Sequence, residues 1–453
     1  MGVIGHWTSE DIAVSCKGLH QGTVQVIDNV VTDSRKDCSG ALFVALKGER
    51  FDAHVFAPQV AAKGVSAMLV DHRLEGVDAT QVIVSDTNKA FGLIGAANRA
   101  RFTGPVVAIT GSVGKTTVKE MVASIFGQVS AVCKTEGNLN NHFGVPISLL
   151  KLSDEHEAAV FELGASGLGE IAYTVRLVQP EVAILNNAVA SHIEGFGSLE
   201  NIVRAKGEIV EGLSDAGVAV LNADDPHYLT WVAMAGERRI VSFGLADSAD
   251  VRAENIELGA DVSLFDLVTP IGEARVSLPF AGEHSVRNAL SAAAAAIGVN
   301  IPLSQIVAGL EHTPAAKGRM NRKVGAGNVV VLDDTYNANP TSMKAALDVL
   351  ARHPGRHIAV LGHMGELGSD VEEAHRDVAE YAKNLGVDLC YVTGAWAESY
   401  RQGFGAGVFA GSNNQELIAE LKRNIRAGDV VLVKGSRSAR MEEVVEALVA
   451  GEQ

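Results

Sequence analysis

The chain has 453 residues, which at about 150 residues per domain points to three domains. Hydrophobic residues make up 47%, charged residues 20% and aromatic residues 5%, an ordinary globular composition that excludes disorder along the whole chain. A formal charge of −16 at pH 7 disfavours nucleic acid and anionic membrane surfaces as partners, and leaves open a small anion held in a locally positive site.

Cys16, Cys38, Cys133 and Cys390 are scattered and form no C-x-x-C pair, so zinc ribbons and disulfide frameworks are not expected and a reducing cytoplasm fits. No basic segment followed by an apolar run opens the chain, so no signal peptide is expected. The Ala-rich stretch 289–299 is too short to cross a bilayer.

Residues 1–102 read as a small mixed α/β domain. Apolar runs at 42–46, 67–70 and 81–84 predict strands, and 55–62 and 90–101 predict helices. Phe102-Thr103-Gly104-Pro105 is a linker or turn, because Gly and Pro interrupt regular structure. Residues 103–313 form the next unit. Runs at 106–110, 158–163, 182–185, 218–221 and 240–243 alternate with helical stretches, which predicts a largely parallel sheet with helices on its faces. Shorter alternating runs at 251–258, 263–268 and 274–278 predict an antiparallel flap or edge sheet, followed by a long helix over 284–297. Residues 314–453 predict a Rossmann-like α/β domain, with strands at 329–332, 357–361, 389–392 and 430–433. Its helices are expected at 343–352, 374–385, 415–425 and 441–449.

The strongest local motif is Val106-Val107-Ala108-Ile109-Thr110-Gly111-Ser112-Val113-Gly114-Lys115-Thr116-Thr117. A strand runs through a Gly-rich turn into a helix whose apolar face is Val118, Met121, Val122, Ile125 and Phe126. Free N–H groups at that helix start attract an anion, Lys115 adds a point charge for terminal phosphates, and the Thr116 hydroxyl suits Mg²⁺. The general P-loop has a Gly where Ile109 stands, so this is a shorter variant. Nucleoside triphosphate binding follows from it; the reaction does not.

Polar clusters end the neighbouring strands. Glu162 reads as a Mg²⁺ ligand or a solvated loop carboxylate. Asn186, Asn187, Ser191 and His192 follow 182–185, and His192 alone reads as a hydrogen-bonded loop histidine. Lys206 alone reads as a solvated helix charge. Asn138, Asn140 and Asn141 suit turns and N-caps. Asp333-Asp334-Thr335-Tyr336-Asn337-Ala338-Asn339-Pro340 offers acids suited to ribose hydroxyls and amides suited to adenine or peptide groups. Lys434-Gly435-Ser436-Arg437-Ser438-Ala439-Arg440 suits a carboxylate or phosphate, or is a solvated helix start.

Taken together, these residues resemble the Mur ligases, ATP-dependent amide-forming enzymes of peptidoglycan precursor synthesis. The resemblance runs through the whole chain: Thr110 to Thr117, Gly137-Asn138, Phe161-Glu162-Leu163-Gly164-Ala165, Asn187 to His192, Lys206-Gly207-Glu208, His284 to Asn288, Gly318-Arg319 and Asp334. Within the family, three segments point to the member that adds D-alanyl-D-alanine to UDP-N-acetylmuramoyl-tripeptide. They are 333–340, Gly362-His363-Met364-Gly365-Glu366-Leu367-Gly368, and Asp33-Ser34-Arg35 with 45–54. The Asp-Asn-Pro-Arg motif of the diaminopimelate- or lysine-adding member is not found.

The resemblance implies a UDP-sugar domain, a central ATP domain and a C-terminal dipeptide domain. It implies that Gly111, Ser112, Val113, Gly114, Lys115, Thr116, Thr117, Asn138, Asn288, Arg319 and Asp334 hold the nucleotide. Thr116, Glu162, His192 and a carbamylated Lys206 would hold two Mg²⁺ ions, with Lys115, Lys206, His192 and Arg319 at the chemistry. Ser34, Arg35 and Lys47 would hold the UDP end, and Asn337, Asn339, Lys434, Ser436 and Arg437 the dipeptide. A cytoplasmic monomer without nucleic-acid partner or membrane insertion is expected. One departure is His284-Ser285, where the family often has His-Asn; another is Ala53, where Gly is frequent. Competing readings are a folylpolyglutamate synthase-like ligase, a P-loop switch or motor, and a silent nucleotide-binding scaffold. The Ser34-Arg35 segment and N-terminal domain disfavour the first, and the missing guanine motif and basic stripe the second. The retained lysine, acids and histidine disfavour the third.

Overall fold

The computed structural model describes residues 3–48, 51–190 and 193–449. Beside a small two-stranded sheet that pairs Trp7–Thr8 with Val26–Ile27, three large sheets follow one another along the chain. The first has five strands in the order Leu19–Gln21, Thr80–Ile83, Ala67–Val70, Ala41–Val44, Asn29–Val31. All of its pairings are parallel except that of the outer Leu19–Gln21 strand. The helices Ser9–Cys16 and Thr87–Ala100 pack on it. The latter starts three residues before its apolar pattern does, because Asp86 accepts from the N–H groups of Asn88 and Lys89 and so caps a polar first turn. The predicted helix over 55–62 is instead a 3-10 turn, Ala53–Phe56, followed by Ala57–Ala61, with Pro58 in the first turn of the α-helix.

The second sheet has nine strands. Its parallel part runs in the order Val132–Lys134, Ala158–Glu162, Val106–Thr110, Val182–Leu185, Val218–Asn222, Arg239–Gly244, Val251–Leu258. Ser263–Thr269 and Gly272–Leu278 extend it antiparallel, so the predicted antiparallel element is the edge of the same sheet. The central parallel strands, Ala158–Glu162, Val106–Thr110, Val182–Leu185 and Val218–Asn222, are buried along their whole length because both faces are covered. The helix Glu283–Gly298 lies against one face, packed on the helix Lys115–Phe126. Its alanines 292–296 are all fully buried: only so small a side chain lets a helix sit in contact on every side. The chain leaves Val106–Thr110 for one edge and later returns to its other side, which makes the end of that strand the switch point where open α/β sheets take ligands.

The third sheet runs Asn321–Gly325, Val329–Asp334, Val430–Lys434, His357–Leu361, Leu389–Thr393, Val408–Gly411, parallel except for the first strand. The helix predicted from 343 starts at Pro340, because Asn339 and Ser342 form a reciprocal capping box. Among the described residues, no helix is long and apolar enough to cross a membrane.

Candidate active site

The switch point of the central sheet faces the C-terminal sheet across a cleft of about 1000 Å³. Ser112 to Thr117 line one wall, with Asn138, Glu162, Lys206 and Asn288. Arg319, Asp334, Asn337, Asn339 and Lys434 line the other. Residues from position 112 to position 434 therefore meet in one place.

The loop is held from below. Asn187 Oδ1 accepts from Val113 N–H at 3.0 Å, and the Asn186 amide donates to Val113 O at 3.0 Å and to Asn288 Oδ1 at 3.2 Å. Gly114 has φ +85°, and a Cβ there would stand 2.5 Å from both Asn186 Nδ2 and Asn288 Oδ1. Glycine is thus required twice over at this position, for the left-handed backbone and for the close approach. Lys115 folds back, its Nζ donating to Gly111 O at 2.6 Å, and burial in the cleft pushes its pKa below the usual lysine value. The loop thereby sets backbone donors at a helix start around one buried cation, Lys115.

Thr116 and Glu162 meet: the hydroxyl donates to Oε2 at 3.0 Å. Asn140 donates to Oε1 at 2.9 Å, and Glu162 N–H donates to the Thr135 hydroxyl at 3.0 Å. Asn140 and Thr135 are orienting groups that the sequence reading did not assign. Asn140 sat in a polar run with a turn explanation, and nothing marked Thr135. Lys206, which alone read as a solvated charge, is 2% exposed. Burial first, then the charge of Lys115, lowers its pKa to about 7. Its Nζ lies 5.5 Å from the centre of the Phe196 ring. Glu208 anchors the helix that carries it, accepting from Gly169 and Ala172 N–H at 2.7 and 2.9 Å. Thr116 and Glu162 form a hard oxygen set that fits Mg²⁺, and a carboxylated Lys206 would add to it. His192 lies outside the described residues.

From the other wall, Arg319 Nη2 reaches the Thr116 hydroxyl at 3.3 Å, and its guanidinium lies 4.2 Å over the Tyr336 ring. Its Nε is buried with no partner among the described residues, which leaves a donor free for an anion. Lys434 is bound to Asp334 Oδ2 at 2.5 Å and to Asn337 O at 3.0 Å. Asn339 lends its side-chain oxygen to the helix cap, and Asn337 Oδ1 accepts from Ala338 N–H, so both amides are partly committed within their own loop. Ser285, at the departure from the family pattern, donates to Ala281 O at 2.8 Å and is satisfied within its helix.

Ser436 and Arg437 follow Lys434 but do not line the cleft. Ser34, Arg35 and Lys47 do not line it; they lie in the segments after the N-terminal strands Asn29–Val31 and Ala41–Val44. Arg35 chelates Asp33 at 2.8 Å, and the Ser34 carbonyl accepts from Lys63. Lys47 Nζ stands 3.7 Å from Asp52 and 3.6 Å from Asp71. His54 links those two acids: Nδ1 lies 2.5 Å from Asp52, and Nε2 accepts from Asp71 N–H at 3.0 Å. Glu49 and Arg50 lie outside the described residues.

Residues 109–296 match the Mur ligase middle domain, and residues 318–437 match the Mur ligase glutamate ligase domain. The chain is 46% identical over 434 residues to the UDP-N-acetylmuramoyl-tripeptide--D-alanyl-D-alanine ligase of Escherichia coli K12, covering 95% of this chain and 96% of that protein. The chain belongs to the Mur ligase family. Its fold agrees with a crystal structure of MurF from Acinetobacter baumannii at a TM-score of 0.93, with 39% identity over 98% of this chain and 99% of the other. It also agrees with the MurF ligase of Thermotoga maritima, solved in complex with ADP, at a TM-score of 0.85 with 28% identity, covering 93% and 96% of the two chains. In this Mur ligase, the cleft between the second and third large sheets brings the Gly-rich loop together with Arg319 and Lys434.

Proposed function

We propose that this chain uses ATP to join D-alanyl-D-alanine to UDP-N-acetylmuramoyl-tripeptide, forming ADP and phosphate in peptidoglycan precursor synthesis. The observation that carries the reading is the meeting of the phosphate loop with Arg319 and Lys434 across one cleft, in a chain that matches D-alanyl-D-alanine-adding ligases over nearly their whole length.

A carboxylate is a poor acyl donor because oxide is a poor leaving group. The tripeptide carboxylate attacks the γ-phosphorus of ATP, and the resulting acyl phosphate has phosphate as its leaving group. The dipeptide amine then adds to the acyl carbon, and phosphate departs from the tetrahedral intermediate. Such steps depend on positioning and charge neutralisation. Lys115 and Arg319 supply positive charge at the terminal phosphate. Asn138, Asn288 and Asp334 hold the rest of the nucleotide, with the loop from Gly111 to Thr117 cradling its phosphates. Thr116, Glu162, His192 and a carbamylated Lys206 would hold Mg²⁺, expected as two ions, which would offset the charge that repels an attacking carboxylate. Ser34, Arg35 and Lys47 hold the UDP end. Asn337, Asn339, Lys434, Ser436 and Arg437 face the dipeptide. The enzyme works as a cytoplasmic monomer with three domains, 1–102, 103–313 and 314–453.

The test is phosphate release from ATP with UDP-muramoyl-tripeptide, with and without D-alanyl-D-alanine, for the lysine and the diaminopimelate tripeptide. Dipeptide-dependent release is expected with at least one. Its absence with both rejects the reading.

A further inference from the structure

Lys119 is a buried cation beside the cleft. It lies one turn after Lys115 and Thr116 on the helix Lys115–Phe126, on the same face as both. It is 2% exposed. Burying an ammonium is costly unless its hydrogen bonds are met, and an apolar side chain would fill a helix face at less cost. Its Nζ donates to Thr135 O at 2.7 Å and stands 3.1 Å from Glu120 Oε1. Lys134 binds the other Glu120 oxygen at 2.5 Å. One carboxylate thus offsets both lysines, and Glu120 itself lines the cleft.

Lys119 acts where a β-ladder ends. The edge strand Val132–Lys134 has three residues and pairs with Ala158–Glu162 on one side only. Its last register pair, Lys134 with Val160, leaves the ladder two residues short of Glu162. Thr135 carries the pairing one step on, its N–H donating to Val160 O at 3.1 Å. A regular parallel ladder would next send the Glu162 N–H to Thr135 O. Here Glu162 N–H donates instead to the Thr135 hydroxyl at 3.0 Å, and the Thr135 carbonyl is taken by Lys119. The lysine and the hydroxyl together set how the strand carrying Glu162 ends. At the other end of that side chain, Thr116 and Asn140 hold the two carboxylate oxygens.

We propose that Lys119 is a positioning residue for the metal-binding carboxylate: by holding the Thr135 carbonyl, it leaves the Thr135 hydroxyl to seat Glu162 against Thr116. The inference rests on the reading of Thr116 and Glu162 as Mg²⁺ ligands given above. One helix face then fixes the carboxylate twice, directly through Thr116 and indirectly through Lys119 and Thr135. Partners of this kind orient a ligand without touching the ion. Without the ammonium, Thr135 O is free to take the Glu162 N–H as an ordinary ladder does, and the carboxylate shifts relative to Thr116.

The test measures metal binding as well as turnover in the full enzyme. Mn²⁺ is titrated into enzyme with ADP and followed by electron paramagnetic resonance, and phosphate release with all substrates is titrated with Mg²⁺. Lys119→Met should weaken Mn²⁺ binding, and raise the half-saturating Mg²⁺, by about tenfold. Thr135→Val should do the same, and Thr135→Ser, which keeps the hydroxyl, should restore most of the loss. Because both changes act at one threonine, Lys119→Met combined with Thr135→Val should be little worse than either alone. Lys134→Met, which leaves Thr135 O its donor, should bind Mn²⁺ as wild type does. Mn²⁺ affinity equal to wild type in Lys119→Met overturns the proposal, since a lysine that only packs lowers the melting temperature without moving metal affinity. If Lys119→Met does not fold, Lys119→Gln, whose amide sits one bond short of the ammonium, takes its place with the same expected result. Wild type binding no more Mn²⁺ than ADP alone does rejects the metal reading itself.

Discussion

Arg319 and Thr116 stand 203 residues apart in the chain, yet the guanidinium of one lies 3.3 Å from the hydroxyl of the other. The Thr116 proton is given to Glu162, so Arg319 donates to an oxygen whose lone pairs remain open. The contact ties the Gly-rich loop to the C-terminal lobe. Arg319→Ala should lower kcat by about 100-fold or more with the fold intact. Arg319→Lys should rescue little, because an ammonium has neither the planar fork nor the stack on Tyr336. Steady-state phosphate release and circular dichroism check both.

Lys206 is enclosed, and its ammonium is destabilised by burial and by Lys115. The proposed carbamate would form from its neutral amine. Lys206→Ala should impair turnover strongly, with partial recovery in acetate or formate, whose carboxylate replaces the missing one. Normal activity without added acid would remove Lys206 from the metal site.

The pair of Lys434 and Asp334 predicts an asymmetry. Both side chains are largely buried, at 3% and 14% exposure. Asp334→Ala leaves an ammonium without its counter-charge and should cost about 3–5 kcal/mol in unfolding of the C-terminal lobe. Lys434→Met, which removes the charge and keeps the volume, should cost less while still impairing turnover. Equal losses in denaturant titrations would contradict this.

His375 makes stability pH-dependent. The ring is fully buried, Nε2 accepts from Met364 N–H, and Nδ1 lies 2.6 Å from Val371 O, an arrangement that needs the neutral Nδ1–H form. Burial, the largest cause, holds its pKa below the ordinary histidine value of 6.5. A depressed histidine pKa means that the unfolded chain binds more protons, so stability rises with pH. The contribution is complete above about 6.5 and is lost as pH falls through the lower, folded-state value. His375→Gln should flatten the dependence of melting temperature on pH in that range, and an unchanged slope would assign it to other groups.

Much of the fold could be read from local pattern. The strand into the phosphate loop and the helix after it keep their bounds because an apolar run, two glycines and a periodic apolar face all lie within about twenty residues of one another. The helices Thr87–Ala100 and Pro340–Leu350 start earlier than apolar periodicity indicates, since their first turns are polar and are held by caps. Of the residues expected at the nucleotide, Asn138, Asn288, Arg319 and Asp334 line one cleft with the loop, and so does Lys434, expected at the dipeptide.

Local sequence determined the elements, the phosphate loop and the types of residue available for chemistry. It did so because periodicity, glycine conformation and capping act over a few residues. Only the tertiary structure decided which of them meet. Lys206 lost its solvent because a helix face is buried by partners far along the chain, and Arg319 found Thr116 because two sheets face each other. Ser34, Arg35 and Lys47 stayed in the segments after the N-terminal strands for the same reason: strand order and lobe packing, not spacing in the chain, set distance in the folded enzyme.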